Sequence, residues 1–94
     1  MFEKRWVVVV GDGMVFIGAC LLHDVIFWPD IATDYVDVYD GRDATSGKKF
    51  CRLEAGVDES RHLGLGGGVP FAAGIYIDGA DSAVQTTVVF TPLM

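Results

Sequence analysis

At 94 residues, with 51% hydrophobic and 21% charged residues, the chain has enough apolar side chain for one core and too little charge for a disordered polymer. Two domains would each fall below the size at which a core stands without staples, so residues 1–94 are expected to form a single domain. Thirteen Asp and Glu against seven Lys and Arg, a formal charge of −6, give a surface of the wrong sign for a phosphate backbone and exclude general nucleic-acid binding.

The first predicted strand is Arg5–Val10, whose Trp6-Val7-Val8-Val9-Val10 run is β-branched and apolar. The run breaks at Gly11-Asp12-Gly13, short of the ~7–15 residues of a signal-peptide core. That glycine pair reads as a tight hairpin. A second apolar stretch, 14–28, is too long for one strand and lacks helix caps. It predicts a short strand over 15–17, a bend or bulge at Gly18, and a longer strand over Cys20–Trp28, stopped by Pro29-Asp30. His23-Asp24 interrupts it, and neither stretch reaches the ~20 residues of a spanning helix. No membrane partner is expected, and a soluble protein made in a cytoplasm is.

Residues 35–39 alternate, with Val36 and Val38 toward the core and Tyr35, Asp37 and Tyr39 away from it. Residues 40–47 form a turn-rich loop, and 49–53 resume a strand. The segment 56–70 lacks strand patterning and ends in Gly64-Leu65-Gly66-Gly67-Gly68, which predicts a long loop. Residues 71–78 and 84–90 read as the last two strands. Turn signals every eight to twelve residues have the rhythm of a sandwich or barrel. No segment carries capped 3.6-residue periodicity. The predicted fold is all-β, an antiparallel sandwich of seven or eight short strands without a long helix.

Motifs that suggest chemistry fail on spacing. The run from Val7 to Gly13 looks like the start of a small GTPase, but a phosphate loop counted from Gly11 would need Gly-Lys-Ser/Thr where Phe16-Ile17-Gly18 stand. The glycines at 64–68 miss the dinucleotide register at Val69, and Pro70 follows instead of a helix. Asp34, Asp37, Asp40 and Asp43 do not match a calcium loop, since its twelfth position falls on Thr45 or Lys48. Asp40 and Asp43 could share a loop cation, though turn capping explains them as well. His23 and Asp24 would face opposite sides of a strand and form no dyad. Ser60 beside Arg61-His62 has no indicated pocket. Cys20 and Cys51 lack a metal-binding spacing and read as buried free thiols. No enzyme activity, catalytic residue, metal centre or cofactor is expected.

Several turns and strands together carry a resemblance: Gly11-Asp12-Gly13, Leu21-Leu22-His23-Asp24-Val25-Ile26, Val36-Asp37-Val38-Tyr39-Asp40-Gly41, Ser46-Gly47-Lys48, Phe71-Ala72-Ala73-Gly74-Ile75-Tyr76-Ile77 and Thr87-Val88-Val89-Phe90. In these the chain resembles the small virion proteins of tailed bacteriophages. The resemblance implies a jelly-roll-like module that decorates the capsid as a cement protein. It implies the major capsid protein as partner and the capsid surface as location. The high apolar content of so small a chain implies surface left over for neighbours, hence a homo-oligomer, expected as a trimer. The expected contact residues are Trp6 and Trp28 near strand ends, and Asp58, Glu59, Arg61, His62, Leu63 and Leu65 of the 56–70 segment. The alternative is a ligand-recognition sandwich, a carbohydrate-binding or fibre-tip module, which an exposed row of Tyr35, Tyr39 and Trp28 would favour.

Overall fold

A computed structural model describes residues 3–29, 34–56, 59–80 and 84–93, and these residues form eight strands with no helix. The strands are β1 (Arg5–Val10), β2 (Gly13–Ile17), β3 (Cys20–Trp28), β4 (Asp34–Asp40), β5 (Lys48–Ala55), β6 (Arg61–Phe71), β7 (Gly74–Gly79) and β8 (Gln85–Pro92). They make two four-stranded sheets, ordered β1-β8-β3-β6 and β2-β7-β4-β5, with every pairing antiparallel. The pairings β1·β8, β2·β7, β3·β6 and β4·β5 are those of one long hairpin doubled back on itself and divided between two sheets.

One core joins the sheets. Leu22, Val25, Phe27 and Val88 of the first sheet and Val36, Val38, Ile75 and Ile77 of the second are fully buried in a single cluster. Each such side chain contributes roughly 1.5–3 kcal/mol over its exposed state. Burial alternates along β8, where Thr86, Val88 and Phe90 point in while Gln85, Thr87 and Val89 do not. This period of two is what a strand with one face on a core must show.

The structure corrects the chain reading at three places. The 56–70 segment is largely β6, which lies along β3 from Phe27↔Arg61 to Cys20↔Phe71. The register steps from Asp24↔Gly64 directly to Leu22↔Val69, so residues 65–68 bulge out opposite His23. Gly66 at φ 60° and Gly68 at φ 108° turn the chain through a backbone region closed to most side chains. Glycines carry no alternating side chains, so this strand has no sequence signature and exists because β3 supplies its ladder. The expected single strand over 71–78 is broken at Ala72-Ala73, where the chain passes from β6 in one sheet to β7 in the other. Asp40 secures that corner, accepting hydrogen bonds from the amides of Ala72 (3.1 Å) and Ala73 (2.9 Å). Gly11-Asp12 is likewise a corner and not a hairpin, because β1 pairs with β8 and β2 with β7. The Gly11 amide donates to the Val84 carbonyl at 2.7 Å across it.

Candidate interaction surface

The outward faces of the two sheets differ in chemistry. On the second sheet, Asp37 stands opposite Arg52 of β5 and is buried beneath it. Arg52 donates from Nε to Oδ1 at 2.7 Å and from Nη2 to Oδ2 at 3.0 Å, and Lys49 Nζ lies 3.4 Å from Oδ2. The Arg52 guanidinium also covers the Tyr35 ring at 3.9 Å, and Tyr39 meets Tyr76 edge-on. The β4–β5 part of this face is closed by its own polar partners, while Ile17 of β2 and Phe50 of β5 stay exposed.

Burial raises the Asp37 carboxyl, but hydrogen bonds and charge from Arg52 and Lys49 outweigh it and hold the group below its ordinary value near 3.8. A depressed carboxylate stabilises the fold above its unfolded pKa and ceases to do so as pH falls through the folded one. The Asp37 contribution is therefore present at neutral pH and is lost below about pH 4. Arg52 and Lys49 are 43% and 46% exposed, so solvent screening keeps the effect small. Asp37→Asn is expected to cost about 1–2 kcal/mol at pH 7. Urea midpoints of the variant should fall less steeply with acid between pH 5 and 2 than those of the parent, a range set by carboxylate titration.

On the first sheet β1 and the end of β3 turn apolar side chains outward. β1 presents Trp6, Val8 and Val10, exposed by 69%, 45% and 59%, and Trp28 at the end of β3 is 56% exposed. Register sets them in rows: Trp6 beside Val89 and Asp24, Val8 beside Thr87 and Ile26, and Val10 beside Gln85 and Trp28. One row ends in His62 of β6, whose Nε2 donates to Asp24 Oδ1 at 2.9 Å. Exposed apolar side chains set among polar ones, here Asp24, Thr87, Gln85 and His62, have the make-up of a docking surface.

His23, expected to oppose Asp24, sits at the β3 bulge between inward-facing Leu22 and Val25, so alternation is broken there. The two still do not pair. His23 Nε2 shares a 2.8 Å hydrogen bond with Thr91 Oγ1, and Asp24 holds His62.

The expected contact residues are thereby divided. Trp6, Trp28 and His62 share the outer face of the first sheet. Leu63 and Leu65 are half-buried against the core instead. Arg61 donates from Nε to the Glu54 carbonyl at 2.9 Å and ties β6 to β5. Glu59 closes a local turn, its carboxylate accepting from the Gly56 amide at 3.1 Å. Asp58 lies outside the described residues. Val8, Val10 and Ile26 join them on that face, and the run Trp6–Val10, with no polar residue at alternate positions, signals the two valines.

The remaining sequence candidates serve structure. Asp43 Oδ1 accepts from the Ser46 amide (2.6 Å) and hydroxyl (2.9 Å), which holds its carboxyl below the usual range. Asp40 is taken up by the Ala72-Ala73 amides. Cys20 and Cys51 are free. Burial, aided by Asp40, pushes the Cys20 thiol up to about 11, and burial with Asp37 raises Cys51, which is half-buried and not fully buried as expected. Neither is a ready thiolate nucleophile. An open cleft of about 350 Å³ lies where β5 meets β6, lined by Asp40, Lys48, Lys49, Phe50, Val69, Pro70 and Phe71.

Fold and surface together define a two-sheet antiparallel β-sandwich with Trp6, Val8, Val10 and Trp28 exposed on the outside of its first sheet. No family model matches the chain, and no curated protein does. Among solved structures it is similar to a protein of Bacillus endospore appendages, described as a novel family of disulfide-linked pili. The TM-score is 0.60 at 10% identity, over 97% of this chain and 83% of that one. The likeness is one of fold.

Proposed function

We propose that this chain is a structural protein that docks through the outer face of its first sheet, and that it serves as a phage capsid decoration protein cementing the head shell. The observation that carries the docking reading is the group of exposed apolar side chains on the outside of the first sheet. Asp37, Arg52, Lys49 and the tyrosines satisfy one another on the second sheet, while Trp6, Val8, Val10 and Trp28 stand in solvent on the first. The nested strand pairing supports a jelly-roll reading of the sandwich, which agrees with the virion class suggested by the turn and strand motifs. A similar fold in a pilus-forming family is compatible with use as a building block. The partner in this reading is the major capsid protein, on the virion surface.

Ligand recognition stands second. Tyr35 and Tyr39 lie on the second sheet and Trp28 on the first, so they form no row. The β5–β6 cleft is the feature in its favour, but Phe50 and Phe71 meet edge-on at 5.2 Å there and offer no flat platform for a sugar ring.

Attachment to undecorated phage shells, assembled from a major capsid protein if one is encoded beside this chain's gene, tests the first reading. Ile26→Lys and Trp28→Ala, both on the apolar face, are expected to weaken attachment by about tenfold or more, as loss of interface anchors does. Tyr35→Ala, on the opposite face, should leave it unchanged. Unaltered attachment by both apolar-face variants, with thermal midpoints held, overturns the reading.

A further inference from the structure

β1 is an edge strand. β8 lies along one side of it in unbroken register from Arg5↔Phe90 to Val10↔Gln85, and among the described residues no strand of its own sheet lies along the other. Natural sheets guard such edges with proline, bulges or inward charges. β1 has no proline and no bulge, and four successive valines. Its outward side chains Trp6, Val8 and Val10 are all exposed. Among the described residues, none of the backbone hydrogen bonds made outside strand pairing starts or ends on Arg5–Val10.

We propose that a second copy of this chain pairs there, β1 against β1, antiparallel about a two-fold axis at Val8, an inference that rests on the same apolar face as the docking reading. A two-fold axis normal to the sheet reverses strand direction and keeps outward side chains outward. Each residue must then face one of its own parity. With Val8 opposite its copy, Trp6 faces Val10 and Val7 faces Val9, so Trp6–Val10 pairs throughout. Centring on Val9 would pair only Val8–Val10. Centring on Val7 pairs as many residues but sets Lys4 against apolar Val10.

Charge selects the Val8 register. One end of β1 carries Glu3-Lys4-Arg5, net positive, and the other carries Asp12 at the corner. Pairing about Val8 brings the net-positive Glu3-Lys4-Arg5 end of each copy toward the Asp12 corner of the other, at both ends of the interface. The Tyr76 hydroxyl donates to Asp12 Oδ2 at 3.2 Å and steadies that carboxylate. The result is one continuous eight-stranded sheet, in which Trp6 and Val10 of the two copies cover each other and both edges are removed.

The full chain is expected to sediment at micromolar concentration as a species of twice 10.2 kDa. Val8→Lys sets like charges opposite each other on the axis and should raise the dimer Kd by at least about tenfold, without harm to a side chain that is not part of the core. Register is read by mild oxidation of single-cysteine variants. Val8→Cys should cross-link, since facing Cα atoms lie ~4.5–5.5 Å apart. Trp6→Cys and Val10→Cys, each roughly 13 Å along the strand from its own copy, should not. A monomer, a trimer, or equal cross-linking at all three positions overturns the proposal. Ile26→Lys separates the two readings, because it lies on the same face two strands in from β1. A monomeric parent whose Ile26→Lys variant loses shell attachment refutes only the β1 pairing. A dimer whose Ile26→Lys and Trp28→Ala variants both attach normally refutes only the docking.

Discussion

Gly74→Ala should unfold the chain or nearly so, with an expected loss of more than about 3 kcal/mol. Gly74 opens β7 at φ 143° and faces Ile17 of β2. A Cβ there would fall inside contact distance of the Phe16 carbonyl oxygen and 3.2 Å from Ile17 Cα. These are backbone atoms of a paired strand and cannot swing aside. The Gly74 carbonyl also accepts the Gly41 amide at 3.1 Å, so displacing it disturbs the β4–β5 loop as well. Positive φ and a backbone clash act together here, and no rotamer relieves either. Gly67→Ala is the control: nothing lies within 4 Å of a Cβ at that bulge position, and the change should stay within about 0.5 kcal/mol. Urea unfolding followed by circular dichroism measures both. A Gly74→Ala protein as stable as its parent contradicts the close packing of β2 on β7.

Phe27→Ala should cost about 3–5 kcal/mol. Phe27 is fully buried, near the end of β3, with Thr86 on one flank and Arg61 on the other. Removing the ring leaves a cavity between two sheets that cannot close without giving up strand pairing. A domain of this size is worth roughly 5–14 kcal/mol in total, so the variant loses a large share of it. Phe27→Leu, which keeps most of the volume, should cost less than about 1.5 kcal/mol. A loss below about 1 kcal/mol for the alanine variant means that the sheets relax toward each other more easily than close packing allows. Both variants alter the interior only, so they provide the stability scale against which the surface variants are judged. A docking variant that shifts the midpoint as Phe27→Ala does has damaged the fold and says nothing about contact.

What was legible in the sequence is what local chemistry controls. The β-branched run of β1, the alternation of Tyr35 to Tyr39, the apolar length of β3 and the valines of β8 each announced a strand. Glycine and aspartate pairs marked where the chain turns, and the absence of capped periodicity excluded a long helix. Trp6, Trp28 and His62 were already candidates for contact. Period two says that neighbours point to opposite faces, but not which face will meet a core. Only the second sheet, laid against one side of the first, decided that Val9 is buried and Val8 and Val10 are not. Sheet membership was equally hidden. The turns at Gly11-Asp12 and Ala72-Ala73 are locally compatible with a hairpin or a continuing strand, and became corners because β8 and β3 hold β1 and β6 in the first sheet while β2 and β7 pair in the second. β6 was invisible for the same reason. Four glycines between 64 and 68 carry no side-chain pattern, so the partner strand made that segment a strand. Asp24 and His62, thirty-eight residues apart in the chain, met only once β3 and β6 had set their register.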